Sequence, residues 1–109
     1  MKRTTLTAAL SAPALLLAMH AAHAAPQAHV VCGYSHTLGD DAIMMFGRPN
    51  EAMLHDFFGN THTDASSSRE TLRTLEETTC DNKADSSAYW APSLRLPDGT
   101  IVKPAYQKT

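Results

Sequence analysis

The stretch His55-Asp56-Phe57-Phe58-Gly59-Asn60-Thr61-His62-Thr63-Asp64-Ala65 gathers two histidines, two aspartates, an asparagine and two threonines around an aromatic pair. Histidine titrates near neutral pH, and a carboxylate beside it fixes its tautomer and tunes its basicity. His55 with Asp56 or Asp64 is therefore the expected proton-transfer set, and His36, Asn60 and His62 would orient a polar ligand. Adjacent residues on a strand point to opposite faces, so Asp64 and His36 compete with Asp56 as the partner of His55. Imidazole plus carboxylate also suits a divalent cation. The spacing of His55, Asp56, His62 and Asp64 matches no standard metal motif, however, so metal and cofactor stay open. G-x-S-x-G, H-E-x-x-H and P-loop patterns are absent, and no reaction class beyond a hydrolase or lyase using His55 and an aspartate is signalled.

A binding module reads the same chain differently. Tyr34, Tyr89 and Trp90 offer stacking surfaces for sugar rings, with Asn60 and Asp64 on the hydroxyls. The plainest alternative is structural: Gly59-Asn60 forms a tight turn, His55 and Asp56 bond nearby backbone, and Trp90 is core.

Several elements must position these groups. Phe57 and Phe58 call for burial, which draws their polar neighbours inward. Upstream, Ala42-Ile43-Met44-Met45-Phe46 is a short apolar run between turn residues and predicts a buried strand, with Met44, Met45 and Met53 as core filler. Downstream, Ser67 and Glu70 have capping-box spacing and predict a helix over 68–76, which Glu76 and Glu77 should end. Thr78-Thr79-Cys80 is β-prone. Residues 87–96 predict a strand that returns through Pro97-Asp98-Gly99 to Thr100-Ile101-Val102 as a hairpin, stopping at Lys103-Pro104.

Composition bounds the compartment and the partners. Met1-Lys2-Arg3, an apolar run to Met19 and Ala22-His23-Ala24 form the pattern of a cleaved secretory signal over residues 1–24, so the expected location is secreted or periplasmic. Removing it leaves 85 residues with seven basic against eleven acidic side chains, a formal charge of −4. That balance argues against nucleic acid as a partner, and no apolar run in the remainder suits a membrane span. Cys32 and Cys80 are the only cysteines. In an oxidising compartment an even count predicts a disulfide, worth about 4 kcal/mol for a loop of this length.

These motifs together carry a resemblance. His55 to Asn60, Thr63 to Ala65, Thr78 to Cys80, Ser87 to Trp90 with Pro92, and Asp98 with Gly99 stand in the order HDFFGN, TDA, TTC, SAYWxP, DG. Asp40-Asp41-Ala42-Ile43 and Gly47-x-Pro49 fit upstream. The pattern resembles the N-terminal part of a secreted domain of unknown function found in fungi and in bacteria such as actinomycetes. In fungi that domain is often joined to carbohydrate-binding cell-wall modules. The resemblance implies cell-wall or polysaccharide binding for residues 25–109. Two departures stand out: Met53 replaces the first histidine of an H-x-H pair, and the family domain is longer than this chain. The expected fold is thus a truncated, disulfide-linked α+β domain of short strands and loops with one short helix. Met53 is expected on the face of His55.

Overall fold

The computed structural model describes residues 29–108, so the expected signal peptide at 1–24 lies outside the described residues. Its centre is β2, His55–Gly59, every residue of which is buried. β2 runs antiparallel between β1, Val31–Leu38, and β3, Ala88–Pro92. The short β6, Tyr106–Lys108, pairs with the far side of β1, giving the order β3-β2-β1-β6. β4, Leu94–Arg95, and β5, Ile101–Val102, make a separate two-stranded ribbon.

Both phenylalanines are core, one on each face of β2. Phe57 is completely buried, flanked in register by His36 and Trp90. Phe58 lies between Tyr34 and Tyr89 and packs with Cys32, Cys80 and Val30. Alternation along the strand puts His55 on the Phe57 face and Asp56 on the Phe58 face.

The register of β1 carries one irregularity, between Tyr34 and His36, where Ser35 is the extra residue. In a regular strand Tyr34 and His36 would share a face. The bulge moves His36 to the opposite one and brings it across from Phe57.

The sulfur atoms of Cys32 and Cys80 lie 2.12 Å apart, a bonding distance, as the cysteine count predicts. The bond fastens the Thr78-Thr79-Cys80 segment against β1 and the end of β2. There Gly33 N–H donates to Thr79 O at 3.0 Å and Thr79 N–H to Gly59 O at 2.9 Å. The Thr79 hydroxyl adds a bond to Gly33 O at 2.6 Å and accepts from Gly59 N–H at 2.9 Å.

Four expectations are corrected. The fold is mainly β rather than α+β: α1, Arg69–Thr74, has six residues, none of them buried. Its cap is Ser68 with Thr71, not Ser67 with Glu70, because Thr71 returns a side-chain bond to Ser68 N–H at 2.8 Å. Ala42–Phe46 is a turn, not a strand. Asp41 accepts from Ile43 and Met44 N–H at 2.9 Å each, as a helix cap does, and this winds the segment away from any sheet. Ile43 and Met44 are then about three-quarters exposed, and Met53 is exposed too, so Met44 and Met53 are not core. Finally, the run over residues 87–96 breaks at Ser93, whose N–H turns to Leu54 O at 2.9 Å. β3 therefore pairs with β2, and only β4 and β5 form the hairpin around Gly99, whose φ is 89°.

Gly59 ends β2 at φ 79°, and a Cβ there would collide with Ser87 O and sit 3.3 Å from Cys80 Sγ. Gly59→Ala is expected to destabilise the domain by more than about 1 kcal/mol, from a left-handed backbone plus the collision. Urea unfolding followed by tryptophan fluorescence measures it. Cys32→Ser with Cys80→Ser is expected to cost about 2–5 kcal/mol in the same assay.

Candidate functional site

The Phe57 face holds an aromatic array. The His36 ring stacks on Phe57 with centroids 4.9 Å apart and planes 3° from parallel. His55 meets the same ring edge-on at 6.4 Å, and Trp90 lies tilted against it at 5.8 Å. His36 and His55 are thus gathered on one face with Phe57 between them.

Their hydrogen bonds assign their tautomers. His55 Nδ1 lies 3.1 Å from Asp40 O, and a carbonyl only accepts, so Nδ1 carries the proton and Nε2 keeps its lone pair. His36 Nε2 donates to Thr63 O at 2.7 Å, leaving Nδ1 to accept from the Ser35 hydroxyl at 2.7 Å. Both nitrogens of His36 are therefore engaged, and His36 serves to hold the Thr63 loop.

Asp40 and Asp41, which the sequence presents as turn residues, both matter here. Asp40 is buried and bridges two loops, accepting from Asn50 N–H at 2.7 Å and Ala65 N–H at 3.0 Å. Asp41 stands near Trp90 and His55. The backbone N–H of Met44 is the main cause that holds its carboxyl below the usual carboxylate range; burial opposes this, and Ile43 N–H, the electrostatic influence of His55 and the Trp90 side chain add to it. The sequence signals for these positions are the adjacent Asp-Asp pair ahead of an apolar run and its place in the family pattern.

Beside the array, an open groove of about 390 Å3 runs along β3 and reaches Gln107 of β6. Asp41, Ile43, Met44, Tyr89, Trp90 and Gln107 line it with Ala88. Two of the expected ligand-binding residues, Tyr89 and Trp90, meet there. The Tyr89 hydroxyl is committed to Asp85 Oδ2 at 2.9 Å; burial and that bond raise its pKa.

The remaining expected residues are elsewhere. Asp56 projects from the opposite face to His55, so the two do not form a dyad. Its Oδ1 accepts from the Thr37 hydroxyl at 2.7 Å and the Ser93 hydroxyl at 2.9 Å. Asp64 is exposed and closes its own turn, accepting from Ser66 N–H at 2.8 Å and the Ser67 hydroxyl at 3.3 Å. Asn60 is completely buried and ties three segments: its amide donates to Leu75 O at 2.6 Å and Ser86 O at 3.1 Å, and its oxygen accepts from His62 N–H at 2.9 Å. His62 is on the surface with Glu77 at 3.5 Å. Tyr34 packs edge-on against Phe58 and bonds Thr37. Met53 precedes β2 and is exposed, lining a surface hollow with Leu54 and Arg95 rather than standing beside His55 in the strand.

Among the described residues, the one close group of three potential metal donors is Cys32, Cys80 and Asp85, within 4.8 Å of one another. Its two sulfurs are bonded to each other and offer no thiolate. His55, His62, Asp56 and Asp64 are dispersed over both faces and the loops and do not form a ligand set.

Asn60→Ala is expected to destabilise the domain by about 3 kcal/mol or more. It empties a buried site and leaves the carbonyls of Leu75 and Ser86 without that donor. Asp64→Ala, confined to an exposed turn, is expected to change stability by no more than about 1 kcal/mol. Thermal unfolding of the two variants side by side checks the contrast.

No helix among the described residues is long and apolar enough to cross a membrane. No curated protein and no solved structure matches the chain. The sequence profile of the domain of unknown function DUF1996 matches residues 41–108, which span β2, α1 and all the later strands around the aromatic array. The chain belongs to the DUF1996 family.

Proposed function

We propose that this chain is an exported binding domain for a neutral polysaccharide, such as a cell-wall glycan, gripped in the groove along β3. The observation that carries the reading is Trp90. It is only half-buried, its ring is braced from behind by Phe57 at 5.8 Å, and it opens on the groove beside Asp41 and Gln107. A braced indole presents a flat apolar surface to a sugar ring at little entropic cost. Carboxylate and amide groups alongside accept and donate to hydroxyls. Asp41 suits this task because its backbone bonds favour the ionised, accepting form. The net charge of −4 after signal removal disfavours polyanions and leaves neutral glycans as the matching class.

One observation favours hydrolase or lyase chemistry as a second reading. The Asp40 carbonyl bond on Nδ1 leaves His55 Nε2 as a base, with the Asp41 charge near enough to interact. Soluble β-1,3-glucan, xylan and chitohexaose, titrated calorimetrically, separate the readings. At least one is expected to bind without releasing new reducing ends, and Trp90→Ala is expected to weaken it about tenfold or more. Turnover that disappears in His55→Gln would establish the enzyme instead. Neither binding nor turnover on any of the three would reject both.

A further inference from the structure

On the Phe58 face, away from the aromatic array, β2, β3 and the β4–β5 ribbon enclose a pocket of about 270 Å3. Its walls are apolar: Phe58, Pro92, Leu94, Val102 and Tyr106 contribute to them. Leu94 and Tyr106 are each 61% exposed, an apolar surface that water covers poorly. At its base stands Asp56, whose exposure is only 3%.

The hydrogen bonding of this carboxyl group is one-sided. Thr37 and Ser93 both donate to Oδ1, and Tyr34 supports Thr37 from behind at 2.7 Å. Among the described residues no donor reaches Oδ2. Among the described residues no Lys or Arg pairs with the group either: Arg48 pairs with Glu51, His62 faces Glu77, and Lys103 stands over the Tyr34 ring, 5.6 Å from its centroid. Gln107, on the same pocket wall, carries a buried acceptor, Oε1, without a partner among the described residues. Asp56 Oδ2 thus keeps unused acceptor capacity and Gln107 Oε1 lacks a donor, so a ligand that supplies donors satisfies both.

We propose that this pocket is a second binding site, for a small primary amine with an apolar body. An ammonium head brings positive charge and three donors to Asp56 Oδ2 and Gln107 Oε1, and its apolar tail fills the space between Leu94, Val102 and Tyr106. The pocket lies just below the range of about 300–1,000 Å3 that holds drug-sized molecules, so the ligand is smaller than those. A neutral alcohol of the same shape would satisfy one acceptor at most. Gln107 lines both this pocket and the groove at Trp90, whereas Asp56 lines this pocket and not that groove, so the Asp56 variant tests this site separately.

The probe is 2-phenylethylamine, with 2-phenylethanol as its uncharged counterpart, titrated into the full chain and followed by amide chemical shifts. The amine is expected to shift Phe58, Leu94, Val102 and Tyr106, and to bind more tightly than the alcohol. Asp56→Asn keeps an oxygen for Thr37 and Ser93 but removes the charge. It is expected to weaken the amine about ten- to hundredfold, the worth of a charge-assisted bond. Leu94→Trp, at an exposed position that tolerates the change, fills the pocket and is expected to abolish binding with the fold intact. The proposal is overturned if the amine shifts none of these residues, if the alcohol binds as well, or if both variants bind the amine like the parent.

Discussion

Everything in this domain depends on burying β2 from both sides with very few side chains. Phe57 and Phe58 fill opposite faces, and each needs its own layer of neighbours. One layer is aromatic and polar: His36, His55 and Trp90. The other is the disulfide with Tyr34 and Tyr89. A small domain has little apolar material to spare, so histidines and tyrosines pack around the core here, each with a polar atom bonded to backbone, a hydroxyl or a carboxylate.

That shortage explains why so much of the architecture rests on buried polar side chains. Asn60 substitutes for a missing stretch of secondary structure by bonding the carbonyls of two separate segments. Asp40 does the same for the loops before β2 and after it, through Asn50 and Ala65. Thr79 stitches Gly33 to Gly59 where the disulfide brings the strands together. Asn60 and Asp40 are nearly sealed from water, so losing either leaves backbone groups unpaired where no solvent can replace the partner.

Two hollows flank β2, and Gln107 lines both. On one side, the Asp41 carboxylate and a braced Trp90 line an open groove. On the other, a carboxyl group with one oxygen satisfied lies under apolar walls. The strand that separates them is too thin to hide either site, and rigid enough to keep both in place because all five of its residues are buried.

Residue types and spacing already determined the family, the disulfide, the turn at Gly99 and the importance of the His55–Asn60 stretch. Those features are local or compositional: two cysteines have only each other, and adjacent phenylalanines must be buried. What lay beyond the sequence was which neighbours in the chain are neighbours in space. His55 and Asp56 are adjacent in sequence yet face opposite ways because the strand alternates. His36 reaches the array only through the bulge at Ser35, which no spacing rule reveals. Ala42–Phe46 has the composition of a strand, but the Asp41 side chain bonds its backbone first and turns it outward. The register of an antiparallel sheet is settled by long-range pairing, and a shift of one residue exchanges its two faces; only the folded chain could say which polar group shares a site with which.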